Sequence, residues 1–346
     1  MGTKVDFRWM VWILVGVLGS IAACSDDQGE VAKDAAPADG ASPADAAVAD
    51  ASVPEDARAD AAPDAAVDAA VDAGPFPIML AAGNYADSQY HAGLLPYRPY
   101  FVYAWCSDPA LSNPGDVYAQ EISTLEGIQD TQVEKMVMFS SNVTLNEKLS
   151  DPTHVQALLT MGVTTIGYNS EGGLTPQAEM DDLGSTDPGV NSVARFAAFA
   201  AARGFRTIWG PIRVTADNVS DAAISVMFDA GLGGVALQEQ QFINHSCVAD
   251  RAAAVQTTAT RYRTLAAQAG ASPIHVTVQV MPSTCLEGDT YAQNNSATCG
   301  TLPSTRFAQC DAFVDAIAAD VDSIAIWAMG TDRDDLIELV TVLRTP

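Results

Sequence analysis

The chain is 346 residues long and 48% hydrophobic, and 43 Asp and Glu against 17 Lys and Arg leave it a formal net charge of −26. That excess of acid excludes a nucleic-acid partner, because each contact with a phosphate backbone needs a cationic side chain to displace counterions. The length suffices for one large folded domain, and the distribution of charge shows where it begins.

Lys4 and Arg8 precede an apolar run from Trp9 to Ala22 that ends at Ala22-Ala23-Cys24. A bilayer-spanning helix needs about 20 apolar residues, so residues 1–24 read as a signal peptide and not as an anchor helix. Ile21-Ala22-Ala23-Cys24 resembles the lipobox of bacterial lipoproteins, in which the cysteine takes a diacylglycerol before cleavage; Cys24 is then the lipidation site and the attachment to a membrane. Ser25, and not Asp, follows it, which suits export to the outer membrane or cell surface of a bacterium.

Residues 25–75 hold 13 acids against Lys33 and Arg58 and no aromatic residue. The quasi-repeat from Asp64 to Asp72 sets like charges four residues apart, and Pro37, Pro43, Pro54 and Pro63 interrupt longer runs, so helix is opposed and a disordered tether is expected.

From residue 76 to 346 short β-branched or aromatic runs alternate with helical periodicity, an α/β signature. Strands are predicted at Ile78 to Ala82, Tyr100 to Trp105, Lys135 to Ser140, Val163 to Asn169, Arg206 to Pro211, Gly234 to Gln238, His275 to Val280 and Ser323 to Ala328. Helices are predicted at Val117 to Gln129, Thr153 to Met161, Val190 to Arg203, Ala222 to Ala230, Arg251 to Ala269, Arg306 to Ala319 and Asp334 to Leu343, with Gly162, Gly204 and Gly270 placed to end three of them. Eight strands in a domain of this size imply a (β/α)8 TIM barrel, expected as a monomer. A doubly wound sheet is the alternative; it lacks a Gly-rich turn after the first strand, while the barrel reading finds no helical stripe between Gly83 and Pro99.

An exported domain permits disulfides. Cys285, Cys299 and Cys310 are close enough in sequence to hold one bridge, and Cys106 and Cys247 either bridge two loops or stay as buried thiols. The chemistry of a TIM barrel belongs to the C-terminal ends of its strands. In the fourth strand, alternation puts Gly167, Asn169 and Glu171 on one face, so Glu171 is the candidate general acid and Asn169 its partner in orienting substrate. The sixth strand ends Gln238-Glu239-Gln240; alternation allows the two glutamines to bind substrate or Glu239 to act as a second carboxylate, but not both. Tyr168, Trp105, Trp209, Gln279 and Trp327 complete the candidate substrate-binding set, with Arg213 nearby, since indole faces suit the apolar C–H faces of sugars. Metal-ligand, nucleotide-loop and serine-elbow motifs are absent from the sequence, so no metal or cofactor is expected.

Tyr168-Asn169-Ser170-Glu171 followed by Thr175-Pro176-Gln177-Ala178-Glu179 resembles a group of secreted bacterial glycosidase-like TIM barrels with a Y-D-x-E then T-P-x-x-E pattern, over roughly residues 135 to 346. Asn169 stands where that group has Asp. The Asn-x-Glu ending is also similar to chitinase-like and endo-N-acetylglucosaminidase-like barrels, where the residue before the acid orients the substrate's own acetamido group as nucleophile. The resemblance implies a surface-anchored glycoside hydrolase acting on a polysaccharide or amino-sugar glycan, with Glu171 as proton donor; a barrel that only binds glycan or a cell-envelope partner is the alternative.

Overall fold

The computed structural model describes residues 77–106, 117–239, 247–271, 273–282, 307–327 and 333–344. Eight parallel strands close into a barrel in sequence order, with the eighth pairing back on the first. They are β1 (Ile78–Ala81), β2 (Tyr100–Cys106), β3 (Val133–Phe139), β4 (Val163–Ser170), β5 (Arg206–Pro211), β6 (Gly234–Gln238), β7 (His275–Val280) and β8 (Ser323–Ile326). The fold is a TIM barrel, and closure excludes the doubly wound sheet, which is open at both edges.

Side-chain alternation divides every strand between two cores. One face points into the barrel, where Met79, Phe101, Tyr103, Met136, Met138, Ile208, Ala236 and Ala325 form a packed interior. The other face points at the surrounding helices and carries the larger core, which includes Ile166, Tyr168, Trp209 and Val278. Gly167 lies on the inner face, and its missing side chain makes room for the sulfurs of Met138 and Met136, 2.6 and 3.2 Å from where a Cβ would stand.

The helices carrying the outer layer are α1 (Ala82–Ala86), α2 (Ser88–Leu94), α3 (Val117–Gly127), α4 (Asn142–Leu149), α5 (Pro152–Thr160), α6 (Gln177–Asp181), α7 (Ser192–Ala201), α8 (Arg213–Asn218), α9 (Asp221–Asp229), α10 (Val248–Gln268), α11 (Ala308–Ile317) and α12 (Arg333–Arg344). Gly162, Gly204 and Gly270 follow α5, α7 and α10 with φ of +81°, +86° and +72°, the left-handed turn that returns each chain to a strand. The stretch after β1 departs from expectation: α1 and α2 occupy it although it has no amphipathic stripe. They are held by tertiary contacts, with Ala82, Tyr85 and Leu94 buried and the Tyr85 hydroxyl donating to Asp130 at 2.6 Å. The polar sequence of α4 also hides a helix, one fixed by its start: Ser141 Oγ accepts from the amides of Val143 and Thr144.

Cys106 is a buried thiol, so the bridge between Cys106 and Cys247 is not formed. Cys247 and Cys310 are each disulfide-bonded. Cys285 and Cys299 lie outside the described residues, as do the signal segment with Cys24 and the acidic tether. Among the described residues no helix is long and apolar enough to cross a membrane.

The barrel wall is tight where β6 meets β7. A Cβ on Gly234 would stand 2.6 Å from the backbone oxygen of His275, and a strand cannot yield there without moving its neighbour. Gly234→Ala is therefore expected to destabilise the barrel by about 1–3 kcal/mol, read as a lower urea midpoint.

Candidate functional site

The C-terminal mouth of the barrel is built by residues that end the inner faces of β2, β4, β6, β7 and β8. Asn169, Gln238, Gln279 and the half-buried Trp105 take these positions, with Glu171 and Trp327 immediately beyond β4 and β8. Gln238 Nε2 donates to Asn169 Oδ1 at 2.7 Å and to the Gly210 carbonyl at 3.2 Å, and Asn169 Nδ2 donates to Glu171 Oε2 at 3.2 Å. The relay fixes both amide orientations, since the Gln238 NH2 donates to two acceptors while Asn169 accepts through its oxygen and donates through its NH2. Gly210 is needed beneath it: a Cβ there would stand 3.0 Å from Asn169 Oδ1.

Glu171 is partly exposed, and burial pushes its carboxyl above the ordinary range against the opposing effect of the Asn169 hydrogen bond. A carboxyl whose protonated form is favoured by burial can deliver a proton to a bound oxygen. Its backbone is clamped as well. The Glu171 amide donates to Thr175 Oγ1 at 3.1 Å, Thr175 Oγ1 donates to the Asn169 carbonyl at 2.9 Å, and the Glu171 carbonyl accepts from the Thr175 amide at 2.9 Å. Trp105 and Trp327 meet edge to face with ring centroids 5.1 Å apart, giving the mouth an aromatic wall. Among the described residues these are the sequence candidates that come together: Glu171, Asn169, Gln238, Gln279, Trp105 and Trp327.

Three others do not join them. Tyr168 and Trp209 are fully buried on the helix-facing side: the Tyr168 hydroxyl donates to Glu179 Oε2 at 2.7 Å, and Trp209 Nε1 donates to Ser170 Oγ at 2.8 Å. As helix-facing core residues neither can contact a ligand in the mouth. Glu239 is likewise withdrawn, fully buried and ion-paired to Arg213, with Arg251 Nη2 3.3 Å from its other oxygen. Burial pushes its carboxyl up, and the two guanidiniums oppose that shift without cancelling it. Burial works against Arg213 too, but the carboxylates of Glu239 and Asp217 outweigh it and hold the guanidinium above its ordinary value. Glu239 is therefore tied into a buried ion-pair cluster and is not a second mouth carboxylate. Gln240 lies outside the described residues.

Two acids outside the candidate set also shape the mouth. Glu179, buried in α6, accepts from the Asn142 amide at 2.9 Å and from Asn142 Nδ2 at 3.2 Å as well as from Tyr168. It caps α4 from a distance, the helix-capping role that a Glu in the loop after the fourth strand suggests, on a partner that local spacing does not disclose. Glu121 on α3 accepts from the Trp105 backbone, and burial pushes its carboxyl up. It adds a second perturbed acid on the Trp105 side. A cavity of about 310 Å³ opens at the opposite, N-terminal end of the barrel, among Phe101, Glu134, Arg206, His275 and Ser323, and is remote from this chemistry.

No family model matches the chain, and no curated protein does. Among solved structures the chain is similar to a mutant tryptophan synthase alpha-subunit from Pyrococcus furiosus, at 13% identity and a TM-score of 0.44, covering 78% of this chain and 96% of that one. It is similar also to tryptophan synthase from M. tuberculosis, at 13% identity and a TM-score of 0.43, covering 78% and 92%. Likeness at this distance says nothing of chemistry.

Glu179→Gln replaces one acceptor oxygen by an NH2 facing donors, and is expected to lower stability by about 1.5–3 kcal/mol, measured by urea unfolding. For Glu171 the sign runs with its raised value. The folded state holds the proton more tightly than the unfolded one, so this contribution is complete below the ordinary carboxylate range and is lost as pH rises through the folded value. Glu171→Gln removes the ionisation, so thermal scans at neutral pH should show a higher midpoint than the parent, with the gain vanishing at acid pH.

Proposed function

We propose that the barrel is a surface-anchored glycoside hydrolase acting on a polysaccharide or amino-sugar glycan, with Glu171 as the general acid. The observation that carries this reading is a carboxyl raised by burial and hydrogen-bonded to Asn169, at a strand end of the same barrel mouth that Trp105 and Trp327 line with indoles. Trp105 and Trp327 would stack against sugar rings while Gln238 and Gln279 receive hydroxyls. Glu171 Oε would donate its proton to the glycosidic oxygen as the bond to the anomeric carbon breaks.

Glu239, the other sequence-predicted carboxylate, is locked among arginines away from the relay that holds Glu171. This favours a mechanism in which the substrate's acetamido oxygen closes on the anomeric carbon and water later opens that intermediate, Asn169 orienting the acetamido group. The withdrawal of Glu239 favours, as a second reading, a barrel that binds glycan without cleaving it. On either reading the Cys24 lipid and the acidic tether would hold the domain at a cell envelope.

The test is release of reducing ends by the full-length protein from chitin, peptidoglycan, plant and microbial glycans, beside Glu171→Gln. Release that falls at least about 100-fold in the variant with an unchanged circular dichroism spectrum supports the hydrolase. The parent rate should also decline as pH rises through the raised Glu171 value, because the acid must enter protonated. Saturable glycan binding with no release, unaltered in Glu171→Gln, would sink the catalytic reading.

A further inference from the structure

The N-terminal end of the barrel is not filled as its middle is. Alternation sends Glu134, Arg206, Gly234, His275 and Ser323 to the inner face, in the layer below Met136, Ile208, Ala236 and Ala325. Large branched side chains ordinarily fill such a layer. Here a glycine and a serine leave space, while Glu134 and Arg206, both largely exposed, pair with each other at the rim. The outcome is the cavity of about 310 Å³, whose apolar walls are Pro77, Pro99, Phe101 and Ile208. The packed interior separates it from the mouth. Its polar wall is His275, whose half-buried imidazole lies nearly parallel to the Phe101 ring, at an interplanar angle of 22°. The imidazole Nε2 is 2.8 Å from Ser323 Oγ, which lies 2.7 Å from Thr277 Oγ1, and both hydroxyl residues are buried. Nδ1 has no partner among the described residues and is not sealed from solvent.

Burial pushes the imidazole below its ordinary value, so the ring is neutral near pH 7. Since each hydroxyl behind it can donate or accept, the neutral ring can offer Nδ1 as an N–H or as a lone pair. That suits a hydroxyl, which can use either. The rim guanidinium and carboxylate neutralise one another, so neither a carboxylate nor an ammonium ligand finds a free counter-charge. A sugar, with hydroxyls on every side, would lay several against Pro77, Phe101 and Ile208 without partners, and Thr207 Oγ1 is already spent on the Gly231 carbonyl and the Gly233 amide. A flat apolar ring with one hydroxyl meets all three constraints. We infer that the cavity is a binding site for a phenol, its ring against Phe101 and the prolines and its hydroxyl on His275 Nδ1. The site is independent of the glycan reading, since it lies at the far end of the barrel from Glu171.

The experiment titrates phenol into the full-length protein by calorimetry, beside benzoate, benzylammonium and glucose. One phenol should bind per chain, and each of the other three should bind at least about tenfold more weakly. His275→Phe, which keeps a flat ring without its nitrogens, should weaken phenol about tenfold. His275→Gln, whose amide again offers a donor and an acceptor, should recover part of that loss. The parent alone supplies a further readout that holds even where neither variant folds: phenol should slow modification of His275 by diethyl pyrocarbonate, followed by peptide mass, while His154 reacts at its former rate. Four results overturn the inference: no saturable phenol binding up to about 10 mM, benzoate, benzylammonium or glucose bound as tightly as phenol, phenol binding unchanged in a folded His275→Phe, or no protection of His275.

Discussion

The C-terminal side of this barrel depends on one buried carboxylate. Glu179 satisfies the exposed amide at the start of α4, the Asn142 side chain and the Tyr168 hydroxyl. Its backbone carbonyl in turn accepts from Ser192 Oγ at the start of α7. Three other elements, α4, the end of β4 and α7, converge on this one residue. An apolar residue could fill the volume but would leave those donors buried without acceptors, which is more costly than never having made the bonds. Because Tyr168 is two positions from Ser170 and three from Glu171, the anchor that stabilises the outer layer also fixes the strand end that presents the candidate acid.

Three glutamates of the same intrinsic acidity thus have three different fates. Glu179 is surrounded by neutral donors and holds helices together. Glu239 is surrounded by guanidiniums and closes a charge cluster with Arg213, Asp217 and Thr258 behind β6. Glu171 alone reaches the mouth, with one amide for company and water on its other side. Environment, and not residue type, separates the structural glutamates from the one placed to exchange a proton.

The strands were legible because parallel strands covered on both faces read as continuous apolar runs, and β5, β6 and β7 coincide with the runs Arg206 to Pro211, Gly234 to Gln238 and His275 to Val280. That same continuity hides which face is which. In Ile208-Trp209-Gly210 nothing in the residue types marks Trp209 as helix-facing and Gly210 as lining the mouth; only register against β4 does, by pairing Trp209 with Tyr168 and Gly210 with Asn169. Where polar residues broke the run, alternation sufficed. It put Asn169 and Glu171 together, and applied one residue earlier it assigns Tyr168 to the outer face. Long-range partners such as Glu179 with Asn142 and Glu239 with Arg213 leave no local spacing to read. Nor does a helix such as α1, whose five residues depend on packing and not on periodicity.

The wall between β5 and β6 is the thinnest part of the cylinder. Their backbones register at Trp209 with Val235, and beyond the strand ends Ile212 bridges to Gln238. Side chains make up the shortfall: Thr207 Oγ1 accepts from the Gly233 amide at the lower end, and Gln238 reaches across β5 to Gly210 and Asn169 at the upper. The residue that lends the mouth its amide is therefore also a stitch in the seam beside it. A molecule that competes for that amide loosens the seam by the same act, so grip on a guest and stiffness of the cylinder are one adjustable quantity, and selection cannot change either without changing the other.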